Sequence, residues 1–169
     1  MTNQKLMLTL SLLALCCTTH AQQNTDLKKI DSVVQHLYKG LSFDDGEWKD
    51  AAKIETFFAA DSRLIANFGT APQIWTVAQY IEGVRNNIAK QGVKAVDEKE
   101  IFSETDIFGK VAQRLSTYEI RFSFKDKEAT RKGINLIQLI YVDGKWKVNS
   151  IIWDRESDQL KIPSRYMPN

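Results

Sequence analysis

Apolar side chains at Leu27, Ile30, Val33, Val34, Leu37, Tyr38 and Leu41 recur at helical spacing and form one stripe, which predicts an amphipathic first helix ending near Gly40. The turn Phe43-Asp44-Asp45-Gly46 breaks it. Trp48, Ala51, Ala52, Ile54, Phe57 and Phe58 then mark a shorter second helix that stops around Ala60-Asp61, and Leu64 to Phe68 is a short apolar strand. After the breaker from Gly69 to Pro72, Thr76 and Gln79 stand at capping-box spacing, so a third helix starts there. It carries Val77, Ile81, Val84 and Ile88 on its core side and ends at Gly92. Beyond Gly92 the period changes to alternation: Glu98 to Thr105, Val111 to Phe124, Ile134 to Val142 and Lys145 to Asp154 read as strands of an antiparallel sheet. Asp143-Gly144 between two apolar runs predicts a two-residue hairpin, because both central positions need positive φ and these residues tolerate it. Helices first and strands second make the fold class α+β.

The first residues follow a different logic. Lys5, an apolar stretch from Leu6 to Cys17 and the small-residue pattern Thr19-His20-Ala21 form a secretory signal peptide over residues 1–21. Its apolar run falls short of the roughly 20 residues a membrane span needs. A lipoprotein signal is the lesser reading, because Leu15 before Cys16 is bulky where lipidation wants a small residue. The expected organisation is therefore a leader, one domain over residues 22–156 and a loose tail over 157–169, in an exported protein, periplasmic or secreted. Cleavage after Ala21 removes Cys16 and Cys17, the chain's two cysteines, so stability must come from packing rather than disulfides. The charge balance, 23 Lys and Arg against 21 Asp and Glu over the whole chain, has no basic run. It suggests no nucleic-acid partner and no membrane-surface partner after cleavage.

The phrases "GEWKDAAKIETFFAADSRLI", "RLSTYEIRF" and "RKGINLIQLIYVDGKWKVNSIIWDRE" resemble the nuclear transport factor 2-like superfamily, in its SnoaL-like, polyketide-cyclase-like branch, over about Ile30 to Glu156. The closing phrase looks like exported members of that branch without assigned activity. The resemblance implies a cone-shaped roll, also described as cystatin-like, in which a curled antiparallel sheet wrapped by about three N-terminal helices surrounds a cavity. It also implies a homodimer formed through the outer sheet face. It implies no single reaction, since relatives include isomerases, dehydratases, epoxide hydrolases, cyclases and binding domains. No stretch matches the family's catalytic motifs closely enough to carry a role across.

Alternation sorts the strands into faces if Val142 pairs with Lys145. Asn135, Ile137, Leu139 and Tyr141 then share the inner face with Trp146, Val148, Ser150, Ile152 and Asp154, and the more apolar parity of the preceding strand adds Arg114, Ser116, Tyr118, Ile120, Phe122 and Phe124. The expected cavity places Tyr118, Asn135, Ser150 and Asp154 in apolar walls, with Arg114 and Ser116 near a rim and Tyr38 from the first helix, as a small-ligand site requires. A shielded Asp154 suits a general base, and Tyr118 a donor to a developing oxyanion. The same residues have structural readings: Tyr118 as packing, Asp154 as a carboxylate paired with Arg155 or Arg114, Asn135 as a backbone partner and Ser150 as a space-filler. The opposite face, which includes Gln138, Asn149 and Trp153, is too apolar to be left in water and is the expected dimer contact. His36 falls off the apolar stripe and is expected to be exposed. With one histidine and no cysteine after cleavage, neither a metal site nor a cofactor is expected. Three functions fit: a domain binding a small, mostly apolar molecule; an acid-base enzyme of isomerase, dehydratase or cyclase type using Asp154 or Tyr118; or a dimeric interaction module whose cavity is filled by the aromatic residues that make up 10% of the chain.

Overall fold

The structure, a computed structural model, describes residues 23–124 and 127–168, so the expected leader lies outside the described residues. Helix α1 runs over residues 23–41, and its predicted stripe buries Ile30, Val34, Leu37 and Tyr38. Trp48 Nε1 donates to the Gly40 carbonyl at 2.7 Å, supplying a partner to the last turn of α1, whose carbonyls have none within the helix. The second helix is shorter than its apolar spacing predicts: α2 covers Ala51–Ile54, a 3-10 turn Glu55–Phe57 follows, and strand β1 begins at once at Phe58–Ala66. Phe58 thus belongs to the sheet. A short strand β2, Gln73–Thr76, which alternation did not mark, pairs with β1 before helix α3, Val77–Gln91. Both halves of the capping box at Thr76 and Gln79 form, and Gly92 ends α3 at φ 64°.

The remaining strands are β3 (Val93–Phe108), β4 (Val111–Phe124), β5 (Lys127–Val142) and β6 (Lys145–Arg155). They form one curled, unclosed sheet in the order β2-β1-β6-β5-β4-β3. Every neighbouring pair is antiparallel except β1 and β6, which run parallel. The expected hairpin is present: Val142 pairs with Lys145, and Asp143 and Gly144 take φ of 50° and 77°. The inner face packs on α1 through Ile137, Leu139, Trp146, Val148 and Ile151.

A bulge corrects part of the face assignment. Leu139 pairs with Val148 but Gln138 with Ser150, leaving Asn149 as an extra residue in β6. Since side chains alternate with period two, one inserted residue exchanges the faces of everything beyond it. Ser150, Ile152 and Asp154 therefore lie on the outer face, not in the cavity, and Trp153, assigned to the dimer contact, lies on the inner face opposite Asn135. A second bulge in β3, between Glu100 and Phe102, turns Glu98 and Glu100 inward before it and Ser103 and Thr105 inward after it.

The tail is not loose. Thr117 Oγ1 donates to the Tyr166 carbonyl at 2.7 Å, the Tyr166 ring lies 6.2 Å from that of Phe102, and Ile162 N donates to Glu156 at 3.1 Å. This strap is why Thr117, on the outer parity of β4, has no exposed surface.

Candidate functional site

Four of the seven candidate cavity residues, Tyr38, Arg114, Ser116 and Asn135, come together on one continuous chain of hydrogen bonds. Tyr38 Oη, from α1, lies 2.8 Å from Ser116 Oγ and accepts from Asn135 Nδ2 at 2.8 Å. Ser116 Oγ donates to Glu100 Oε1 at 2.6 Å, and Arg114 grips the same carboxylate through Nε at 2.9 Å and Nη2 at 2.6 Å. Arg114 Nη1 reaches Asp31 of α1 at 2.8 Å and Thr105 at 2.8 Å. Strand alternation supplies this arrangement, because Thr105, Arg114 and Ile137 lie opposite one another across three strands, as do Ser103, Ser116 and Asn135. Burial pushes the Arg114 guanidinium toward losing its proton. Its hydrogen bonds and charge contacts with Glu100, and then Asp31, outweigh this and hold it above its usual value. The row is complete: among the described residues no fully buried side-chain nitrogen or oxygen lacks a partner. A fully satisfied network of this kind fixes α1 on the sheet.

Tyr118 is buried one pairing further along β4, opposite Gly133. A Cβ at Gly133 would run into the Tyr118 hydroxyl and the Asp154 carbonyl, so only glycine lets the tyrosine ring lie across β5 there. Asp154 and Ser150 are separate from this group. Asp154 accepts from the Arg155 amide at 2.7 Å and lines an outer recess under the strap with Ile134, Leu160 and Pro163, while Ser150 donates to Gln138 at 2.7 Å.

Sequence reasoning missed Glu98, Glu100, Asp31, Trp75 and Tyr80. In the run Val96 to Thr105 both parities carry charge, so alternation contains no face signal, and only the pairing with β4 reveals that Glu98 stands opposite Ile120 and points inward. The Glu98 carboxyl has no hydrogen bond or ion pair among the described residues, and burial pushes its pKa up to about 7. Burial, followed by the nearby charge of Glu98, also raises the phenols of Tyr38, Tyr80 and Tyr118 far above their ordinary value. All three stay protonated at neutral pH and can donate. Tyr80 of α3 packs edge-on against Trp75 and Trp153, whose rings stack at 6.1 Å. Beneath them is a recess of about 40 Å³ lined by Leu37, Leu41, Leu64, Tyr80, Asn135 and Trp153, room for water.

The outer face has a wider groove of about 460 Å³, lined by Asp106, Phe108, Val111, Gln113, Gln138 and Asn149 among others. His36 is exposed, 3.3 Å from Ser32 Oγ, with its ring stacked on Phe57 at 6.3 Å. Among the described residues no group of three or more His, Cys, Asp or Glu could hold a metal ion, and no helix is long and apolar enough to cross a membrane.

No protein-family model matches the chain, and no curated protein matches it by sequence. Solved structures do match. An inferred scytalone dehydratase from Novosphingobium aromaticivorans is 10% identical, with TM-score 0.66 over 82% of this chain and 89% of that one. A protein of unknown function with a cystatin-like fold from Nostoc punctiforme is 12% identical, with TM-score 0.61 over 79% and 93%. A nuclear transport factor 2-like protein of unknown function from Silicibacter pomeroyi is 10% identical, with TM-score 0.56 over 79% and 98%. At these identities the likeness concerns the fold, and by topology, helix order and overall superposition the chain has the nuclear transport factor 2-like fold.

Proposed function

We propose that this is an exported domain that binds a small, mostly apolar molecule between α1, α3 and the inner sheet face, with Glu98 as the titrating group of the site. The observation that carries the reading is the unpaired Glu98 carboxyl on the inner face, within electrostatic reach of Tyr38, Tyr80 and Tyr118 and beside a wall of Trp75 and Trp153. A half-buried carboxyl without a protein partner holds its charge at a cost, and sites that handle ligands are where such costs recur. A ligand donor would supply the missing partner, and the aromatic wall would take its apolar body. The recess, at about 40 Å³, is too small for such a molecule, so entry requires Tyr80 and Trp153, both half-buried, to swing outward.

Acid-base chemistry is a second reading, favoured by one observation. A carboxyl near pKa 7 stands with protonated tyrosines, so Glu98 could exchange a proton while Tyr118 or Tyr80 donates to a developing oxyanion. The base is then Glu98, since Asp154 faces outward.

The test is native mass spectrometry of the purified protein beside its Glu98→Gln variant. A small molecule retained by the parent chain, and retained more weakly by the variant, supports the binding reading. If both carry none and a panel of small apolar acids and alcohols shifts the melting temperature of neither, the reading fails.

A further inference from the structure

At the open end of the inner face two arginines stand without a carboxylate. Arg155 pairs with Gly133, and Arg131 lies two residues from Gly133 on the same strand and face, opposite Ile120. The two therefore flank the bare backbone of Gly133, across which Tyr118 lies. Neither guanidinium has an ion pair among the described residues, although Arg114, Arg121, Lys99 and Lys132 all have one. Each instead lies over an aromatic ring: Arg131 at 5.1 Å from the centre of Phe122 and Arg155 at 4.3 Å from that of Phe68. Stacking fixes the plane of a guanidinium while leaving its N–H edge free, which presents the fork that matches a planar anion. Alternation puts both on the same side of the sheet as the recess, because Arg131 pairs with inward-facing Ile120 and Arg155 pairs with Gly133. The bulge at Asn149 is what brings Arg155 there, since without it this residue would be on the outer face.

We infer that the ligand is a small carboxylic acid with an apolar or aromatic body, its carboxylate taken by Arg131 and Arg155 and its body by the wall of Trp75, Tyr80 and Trp153. A singly charged group is specified, because Glu98 on the same face disfavours a doubly charged one. This inference rests on the binding reading above and adds the charge and class of the ligand.

Calorimetric titration of the full chain with cinnamate and with cinnamyl alcohol separates the two claims. Cinnamate is expected to bind at least about tenfold tighter, the size of one charge-assisted hydrogen bond. The double variant Arg131→Gln/Arg155→Gln should lose this preference while still binding the alcohol. Equal affinities in the parent chain, or a preference that survives the double substitution, would overturn the carboxylate assignment and leave the recess standing. Binding of neither probe by the parent chain overturns both claims, and that result does not depend on any variant folding.

Discussion

A carboxyl that has a pKa of about 7 in the folded chain and 4.5 as its ordinary value binds its proton more tightly when folded. The folded state therefore holds more protons between these values, and stability falls as pH rises through this window. Below about 4.5 the penalty is absent; above about 7 it is complete, with an upper bound on the order of 3 kcal/mol. Melting temperature measured against pH should decline from pH 4.5 to 7, and Glu98→Gln should flatten that slope and raise stability at pH 8. An unchanged slope would mean that water solvates Glu98 fully. Glu119 does not interfere, because Arg121 and Lys99 hold it below its usual value, so it titrates under the window. Gly133 makes a second expectation at this scale. Gly133→Ala puts a methyl group against the Tyr118 hydroxyl and a backbone carbonyl, and the carbonyl cannot move aside. The cost should be about 1–3 kcal/mol, as for overpacked cores, read as a lower denaturation midpoint.

At the scale of elements, α1 is held to the sheet by apolar packing and by the bonds of Arg114 to Glu100 and Asp31. The two acids are not equivalent: the Glu100 side chain is 16% exposed and that of Asp31 39%. Arg114→Met would leave Glu100 charged and enclosed, a situation that costs about 3–5 kcal/mol, whereas Asp31→Asn loses a half-exposed pair worth about 0–1 kcal/mol. Chemical denaturation of the two variants should show that ordering, and equal losses would assign the anchoring to Asp31 instead. The same elements show what alternation can and cannot reveal. The hairpin at Asp143-Gly144, the stripe of α1 and the capped start of α3 were readable because each depends on neighbours in sequence. The inward parity of Arg114, Ser116, Tyr118 and Asn135 was readable because β4 and β5 pair without a bulge. Ser150, Trp153 and Asp154 were misplaced because the extra residue at Asn149 exists only in the pairing with β5. Glu98 and Glu100 were invisible because both parities of β3 are charged.

For the whole molecule, the corrected outer face still carries apolar surface in water: Phe108 is 87% exposed, Val111 53%, Leu136 43% and Ile152 39%. Leu136 and Ile152 are directly paired on neighbouring strands, and the groove lined by Gln138 and Asn149 adjoins them. A contiguous apolar patch of this kind usually marks an interface, and a self-complementary sheet face pairs with its copy about a twofold axis. The strap that ends at Tyr166 covers the outer surface around Thr117, so self-association would use the uncovered strip between Ile152 and Phe108. Sedimentation of the purified protein should give a dimer, and Leu136→Lys or Ile152→Lys should shift it to monomer with little change in the denaturation midpoint of the monomer. Trp153→Ala should do the reverse. Its ring stacks on Trp75 and packs against Tyr80 inside the roll, so its loss should lower stability by about 3–5 kcal/mol and leave the oligomeric state unchanged. A monomeric parent chain would remove the interface, and a Trp153 variant that dissociates the dimer would contradict the register that puts this residue on the inner face.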